Sequence, residues 1–247
     1  MDESLKLKLI KGTPILLQES NCFLYHRTVG EIINFGYSSF NSIVHLFTLS
    51  DEELYKFLAI PKLTVYTFFL SCFIQPNIYT EELRKGFQFF LNASEIAVDL
   101  EKEIFLLSIG EIERIEFGES SFNELSRQIG VMYNGESASS EEEDRRLNEQ
   151  ERKMKEKFRK LREAREKAKS RTEHSAISFS DLIGGFIVRN TSLSFEETMN
   201  LPYYTFFFLL KKLENYDNYD WQLRAILAGA KNDKEIHHWL ENTDDEY

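Results

Sequence analysis

The sequence predicts a mainly α protein in three parts. These are an α+β N-terminal domain over residues 1–135, a linker and long charged α-helix over 136–173, and a small all-α C-terminal domain over 174–247. Three observations predict this. About 23 charged residues between Glu141 and Glu173, with no Gly or Pro among them, divide the chain. Before that run, helix-capping signals alternate with stretches rich in β-formers. After it, apolar residues recur at helical spacing.

In the first part, Ser4 to Ile10 alternates, with Leu5, Leu7 and Leu9 against Lys6 and Lys8. That pattern predicts an edge strand with lysines outward. Lys11-Gly12-Thr13-Pro14 predicts a turn, Ile15 to Gln18 the returning strand and Cys22 to Tyr25 a third. Thr28 and Glu31 form a capping box for a helix over Val29 to Phe35 that stops at Gly36. Ser50 and Glu53 open a second, stopped before Pro61, and Ser121 and Glu124 another, running to Gly130. Thr80 caps a helix with Leu83, Phe87, Phe90 and Leu91 on one face. Ile104 to Ile109 and Ile112 to Phe117 read as strands turned at Gly110, with one sheet open to strands from both ends of the segment. Tyr133 to Ser140 is the expected linker.

The charged run carries Glu149–Lys153, Glu151–Lys155, Glu156–Lys160 and Glu163–Lys167 pairs. Each (i, i+4) pair adds roughly 0.2–0.5 kcal/mol to a helix. One helix of about 28 residues, roughly 40 Å long, is expected. Leu147, Met154, Leu161 and Ala168 fall seven apart, with Phe158 beside them, which is half of a coiled-coil seam. Three uses stay open: a solvated connector, a helix that pairs with a partner or second copy, and a nucleic-acid contact. From Arg152 to Arg171 there are eleven basic and three acidic residues, a local charge of +8, which leaves −19 for the rest of a chain at −11. A basic stripe on so acidic a protein suits an acidic partner, or its own acidic domain, better than DNA.

In the last part, Ser180 is the expected cap of a helix with Leu182, Ile183, Phe186 and Ile187. Close helix packing would explain Gly184-Gly185 inside it, at a cost of about 1 kcal/mol per glycine. Ser194 and Glu197 cap the next helix, and Pro202 begins one that buries Tyr203, Phe206, Phe207, Leu210 and Leu213. Tyr216 to Tyr219 is a predicted polar break, and Asp220 a cap for a helix ending at Gly229. A last helix holds Ile236, Trp239 and Leu240, making five short helices in all.

Chemistry is hard to find. Cys22 and Cys72 have no CxxC spacing, and the chain starts without a secretory pattern, so a reducing cytoplasm is expected. The most apolar run, Leu63 to Ile74, is about 12 residues, short of the ~20 a spanning helix needs. His237 and His238 would point about 100° apart on a helix and do not converge on a metal. No phosphate-binding loop, GxSxG, HExxH or GxGxxG occurs. Cys22 and His26 are a nucleophile–base pair only if geometry joins them. The expectation is a non-enzyme with no catalytic, metal or cofactor site.

The order ISFSDLIGGFIVRN, SLSFEETMNLPYY, WQLRAILAGAKND and HHWLEN resembles the C-terminal domain of a protein encoded among the tail genes of long-tailed phages and prophages of Gram-positive bacteria. A short hairpin, RTVGEIINFGYSSF and a Lys/Glu/Arg-rich helix fit the same family, although Arg27 stands where it usually has proline. The resemblance implies a tail assembly chaperone that binds the tape-measure protein and tail-tube subunits in the host cytoplasm and is absent from the mature virion. Such a protein needs exposed apolar grooves on a charged body. Phe206, Phe208, Trp221 and Trp239 are the expected C-terminal contacts, with Met154, Phe158 and Leu161 for docking or self-association. The alternatives are a structural component of the tail or connector, and a nucleic-acid-binding regulator using residues 152–171.

Overall fold

The computed structural model describes residues 3–58, 63–77, 79–110, 112–134, 178–229 and 238–239. It is mainly α, and the strands among the described residues all lie in the first half. The charged run and its expected helix lie outside the described residues.

The chain begins with a helix, α1 (Glu3–Lys11), where alternation predicted a strand. Leu5 and Leu9 are four apart and face inward, while Leu7 is 58% exposed. Glu3 in the first turn and Lys8 and Lys11 in the last match the helix dipole. Seven residues satisfied both periods, and the packing partner chose the helical one. Gly12 ends α1 at φ +71, and a Cβ there would sit 2.5 Å from Pro202 Cγ, so only glycine fits.

The strands β1 (Ile15–Leu17) and β2 (Cys22–Leu24) form an antiparallel hairpin with Ile15, Leu17, Cys22 and Leu24 inward. Five helices follow: α2 (Val29–Phe35), α3 (Tyr37–Phe47), α4 (Asp51–Leu58), α5 (Val65–Ile74) and α6 (Thr80–Leu91). The Thr28 box is present, with Thr28 Oγ1 accepting the Glu31 N–H at 3.1 Å and Glu31 accepting the Thr28 N–H at 2.8 Å. Ser50 and Glu53 exchange the same bonds. Thr64 and Thr67 cap α5 reciprocally. Thr80 serves α6 differently from a cap: its hydroxyl accepts the Asn77 N–H and donates to the Cys72 carbonyl.

A three-stranded meander comes next, β3 (Ala93–Asp99), β4 (Ile104–Ile109) and β5 (Ile112–Phe117), with Gly110 at φ +61 in the second turn. It is a sheet of its own and does not pair with the β1–β2 hairpin. Phe105, Leu107 and Phe117 make its buried face. Helix α7 (Glu119–Ile129) has Gly118 as its N-cap, three residues before the expected Ser121, and a π-turn (Gly130–Asn134) follows it. Ser121 is buried, and the Glu124 carboxylate instead accepts the Gln18 and Glu19 N–H groups at 3.0 and 3.1 Å. The acid that predicted a capping box holds the hairpin turn.

The second half opens with α8 (Phe179–Arg189), capped by Ser178 and Asp181 and not by Ser180. Then come α9 (Phe195–Met199), with the predicted Ser194–Glu197 box, and α10 (Tyr203–Leu227) behind Pro202. Helix α10 is continuous over 25 residues, so the break at Tyr216 to Tyr219 and the Asp220 cap are absent. That stretch has neither Gly nor Pro, and its acids are used sideways. Asp217 pairs with Arg189 of α8, and Asp220 with Arg224 one turn on at 2.8 Å. Three described helices therefore replace four of the five expected, and the fifth lies mostly outside the described residues.

Residues on both sides of the charged run share one core. Thr28 and Pro202 form an antiparallel bridge, and the Val29 N–H meets the Leu201 carbonyl at 3.0 Å. The Tyr203 N–H meets the Arg27 carbonyl at 2.9 Å, and the Thr205 hydroxyl the Ile10 carbonyl at 2.6 Å. Tyr37 stacks on Phe179 at 4.1 Å, and the Tyr203 ring lies 5.3 Å from Phe40 and 5.6 Å from Tyr133. Helices α8 and α10 thus complete a core that the first half leaves open.

Candidate partner-binding surface

Helix α8 runs beside α10 in the same direction. Phe186 meets Phe206 at 5.1 Å, and further along Arg189 Nε reaches Asp217 Oδ2 at 3.2 Å with a second bond from its Nη2. There α8 stops. The remaining turns of α10 outrun it, and Trp221, one turn past Asp217, is 76% exposed. Leu227 is 87% exposed and Val188, on the last turn of α8, 83%. Tyr216, Leu223 and Ile226 are also exposed. An apolar helix end on an acidic protein is the main uncovered feature among the described residues.

The residues expected at a contact surface separate. Phe206 is fully buried, packed by Phe179, Phe186 and Phe207, because it lies on the side of α10 that α8 covers. It is core and not a surface contact. Phe208 is half-buried, with Lys6 Nζ 6.0 Å and Lys212 Nζ 5.9 Å from its ring centre. Trp221 is free of α8. Trp239 is half-buried with its edge on Tyr216 at 5.6 Å, and His238 lies 5.2 Å from Tyr219. Met154, Phe158 and Leu161 lie outside the described residues. Val188 and Leu227 were missed, since a single apolar residue in a helix gives no sign that its neighbour helix will end early.

Gly184 and Gly185 are exposed, and a Cβ at either would meet nothing within 4 Å. Close helix packing does not account for them.

The Cys22 thiol contacts Ser20 Oγ at 3.1 Å, and burial pushes its pKa up, away from the thiolate. His26 is pushed down to about 4 by burial, and its Nε2 has no hydrogen-bond partner. These are not an activated nucleophile and its base. No group of three metal-ligating side chains exists among the described residues, and no helix among them is long and apolar enough to cross a membrane. Shallow depressions lie on two surfaces among the described residues. One lies on α1 at Ser4, Leu7, Lys8, Lys11 and Thr13, the other beside Arg27, Lys85 and Phe89.

Arg27 earns its place without a ligand. Its guanidinium donates to the Phe89 carbonyl at 2.6 Å and to Asn92 Oδ1 at 2.5 Å, and stacks over Phe89 at 4.9 Å. Its N–H meets the Tyr133 hydroxyl at 3.3 Å. A proline at this position would supply none of these bonds.

Residues 167–244 match the model of a family described as the YomV second domain, a phage-derived family. The match covers α8, α9, α10 and the apolar end of α10. No curated protein and no solved structure matches the chain. Residues 167–244 are therefore similar to a phage-associated domain family.

Proposed function

We propose that this protein is a non-enzymatic tail assembly chaperone of a phage or prophage. It binds an amphipathic segment of the tape-measure protein, and tail-tube subunits, in the host cytoplasm, and leaves before the virion is complete. The exposed end of α10, with Trp221, Leu227 and neighbouring Val188, is the observation that carries this reading. An apolar helix surface on a protein of net charge −11 suits a client that is otherwise prone to aggregate. The phage-derived family match over the same residues supports it.

The test is co-expression with the neighbouring tape-measure protein, followed by pull-down and measurement of its soluble fraction. Full-length chain is expected to hold the client in solution. Trp221→Ala with Leu227→Ala is expected to weaken capture by at least about tenfold, as loss of a buried contact of about 1.4 kcal/mol or more would. Capture that is absent with the unaltered chain, together with its presence in purified virions, would move the protein to the structural class.

A further inference from the structure

We infer that the free edge of β3 is a strand-addition site for an extended, basic segment of a partner protein. It is a surface separate from the end of α10. In the order β3–β4–β5 both outer strands are edges, and β3 has no second strand beside it among the described residues. Its pairing with β4 runs unbroken from Glu95 to Asp99, about 17 Å at about 3.4 Å per residue. Every second residue of such a strand turns its N–H and C=O away from its neighbour. Among the described residues, no backbone bond from Glu95 to Asp99 goes anywhere but β4. The other edge is blunted. A bulge interrupts β5, with Arg114 at φ +64, and breaks the row of groups that a new strand would need.

Side chains on the two faces select the occupant. On the inner face, Phe105 and Leu107 of β4 are fully buried, with Phe73 of α5 and Phe87 of α6 behind Phe105 at 5.4 and 5.3 Å. Their β3 neighbours Val98 and Ile96 pack on the same core yet stay half-buried. The apolar layer therefore continues past the last strand. On the outer face, Glu95 and Ala97 are exposed and Asp99 is half-buried. An added strand meets these five residues in order. It needs basic residues opposite Glu95 and Asp99, and apolar ones opposite Ile96 and Val98. The pattern reads the same in both directions, and Lys-Val-Thr-Val-Lys satisfies it. A second copy does not. Full antiparallel overlap of two β3 strands sets Glu95 of each directly against Asp99 of the other, a repulsive arrangement.

The test adds the peptide Thr-Lys-Val-Thr-Val-Lys-Thr to the full-length protein. Amide exchange is read residue by residue, and affinity by titration calorimetry. In the free protein, alternate amides of Glu95–Asp99 should exchange fast. Saturating peptide should slow them by about tenfold or more and leave β5 unchanged. N-methylation of one alternating set of peptide nitrogens should abolish binding, and of the other set should leave it intact, because only one set faces the edge. Replacing both lysines of the peptide by Glu should weaken binding by about tenfold or more, and Glu95→Lys in the protein should narrow that difference. Asp99 stays unaltered, since its Oδ1 holds the following turn by accepting the Glu101 and Lys102 N–H groups. Four results would overturn the site: no binding of the basic peptide, no difference between the two methylated sets, protection of Glu95–Asp99 that rises with protein concentration without peptide, or protection of all these amides in the free monomer. The third would assign the edge to a second copy and the fourth to a segment of the same chain.

Discussion

At the scale of single residues, Phe206 and Trp221 sit on the same helix and should behave oppositely. Phe206→Ala removes a fully buried ring and is expected to cost about 3–5 kcal/mol, read as a lower denaturant midpoint. Trp221→Ala should shift that midpoint by no more than about 0.5 kcal/mol while weakening client capture. His26 sets a pH dependence. Its folded pKa, about 4, lies below the ordinary 6.5, so the folded state prefers the neutral ring. Its contribution is complete above about pH 6.5 and is lost as pH falls toward 4, on the order of 2 kcal/mol after allowing for its partial exposure. A urea series from pH 7 to 4 should show that slope, and His26→Gln should flatten it. The carboxyls of Asp181, Glu197 and Asp217 are depressed by their hydrogen bonds, so their contributions fade lower on the scale.

At the scale of elements, α1 offers a sharp comparison. Leu9→Lys should unfold or strongly destabilise the protein, whereas Leu7→Lys should be tolerated, because the helix turns Leu7 outward. A strand would have made both equally damaging. Here the sequence was ambiguous for a physical reason: over seven residues, alternation and a four-residue spacing use the same leucines. Capping chemistry was far more legible. Thr28–Glu31, Ser50–Glu53 and Ser194–Glu197 all formed as expected, because such a box involves only residues three apart. The Ser121–Glu124 pattern failed because Glu124 met a distant turn that local reading does not contain. Helices α3 and α5 carried less familiar signals, a Gly36 start and a Thr–Thr cap. In α10, Asp217 met Arg189, 28 positions earlier, a partner that local reading does not contain. Asn218→Pro should break α10 there at a cost of about 3 kcal/mol or more, detaching the apolar end; loss of amide-exchange protection beyond residue 218 would show it.

At the scale of the molecule, the core crosses the charged run. Phe179, Ile183, Phe186, Tyr203 and Phe206 belong to the same cluster as Phe40, Phe90 and Tyr133. A chain ending at residue 173 would expose that cluster and leave the Val29 N–H and Arg27 carbonyl without their partners. It is expected to lack a cooperative unfolding transition, so failure of such a truncation to hold a client says nothing about the surface of α10. The candidate surface itself was half legible. Trp221 stood out as an aromatic residue in a polar helix, but its exposure depends on where α8 ends, and only the packed structure fixes that.

Tyr133 and Phe179 rest on the same ring, Tyr203, although 43 residues outside the described set separate the segments that carry them. The two halves are therefore matched like complementing fragments of one enzyme split in a surface loop. Residues 1–134 and 178–247, produced as two separate polypeptides in one cell, should find each other and co-purify as a stoichiometric pair. Each alone should aggregate, since each is the other's missing core.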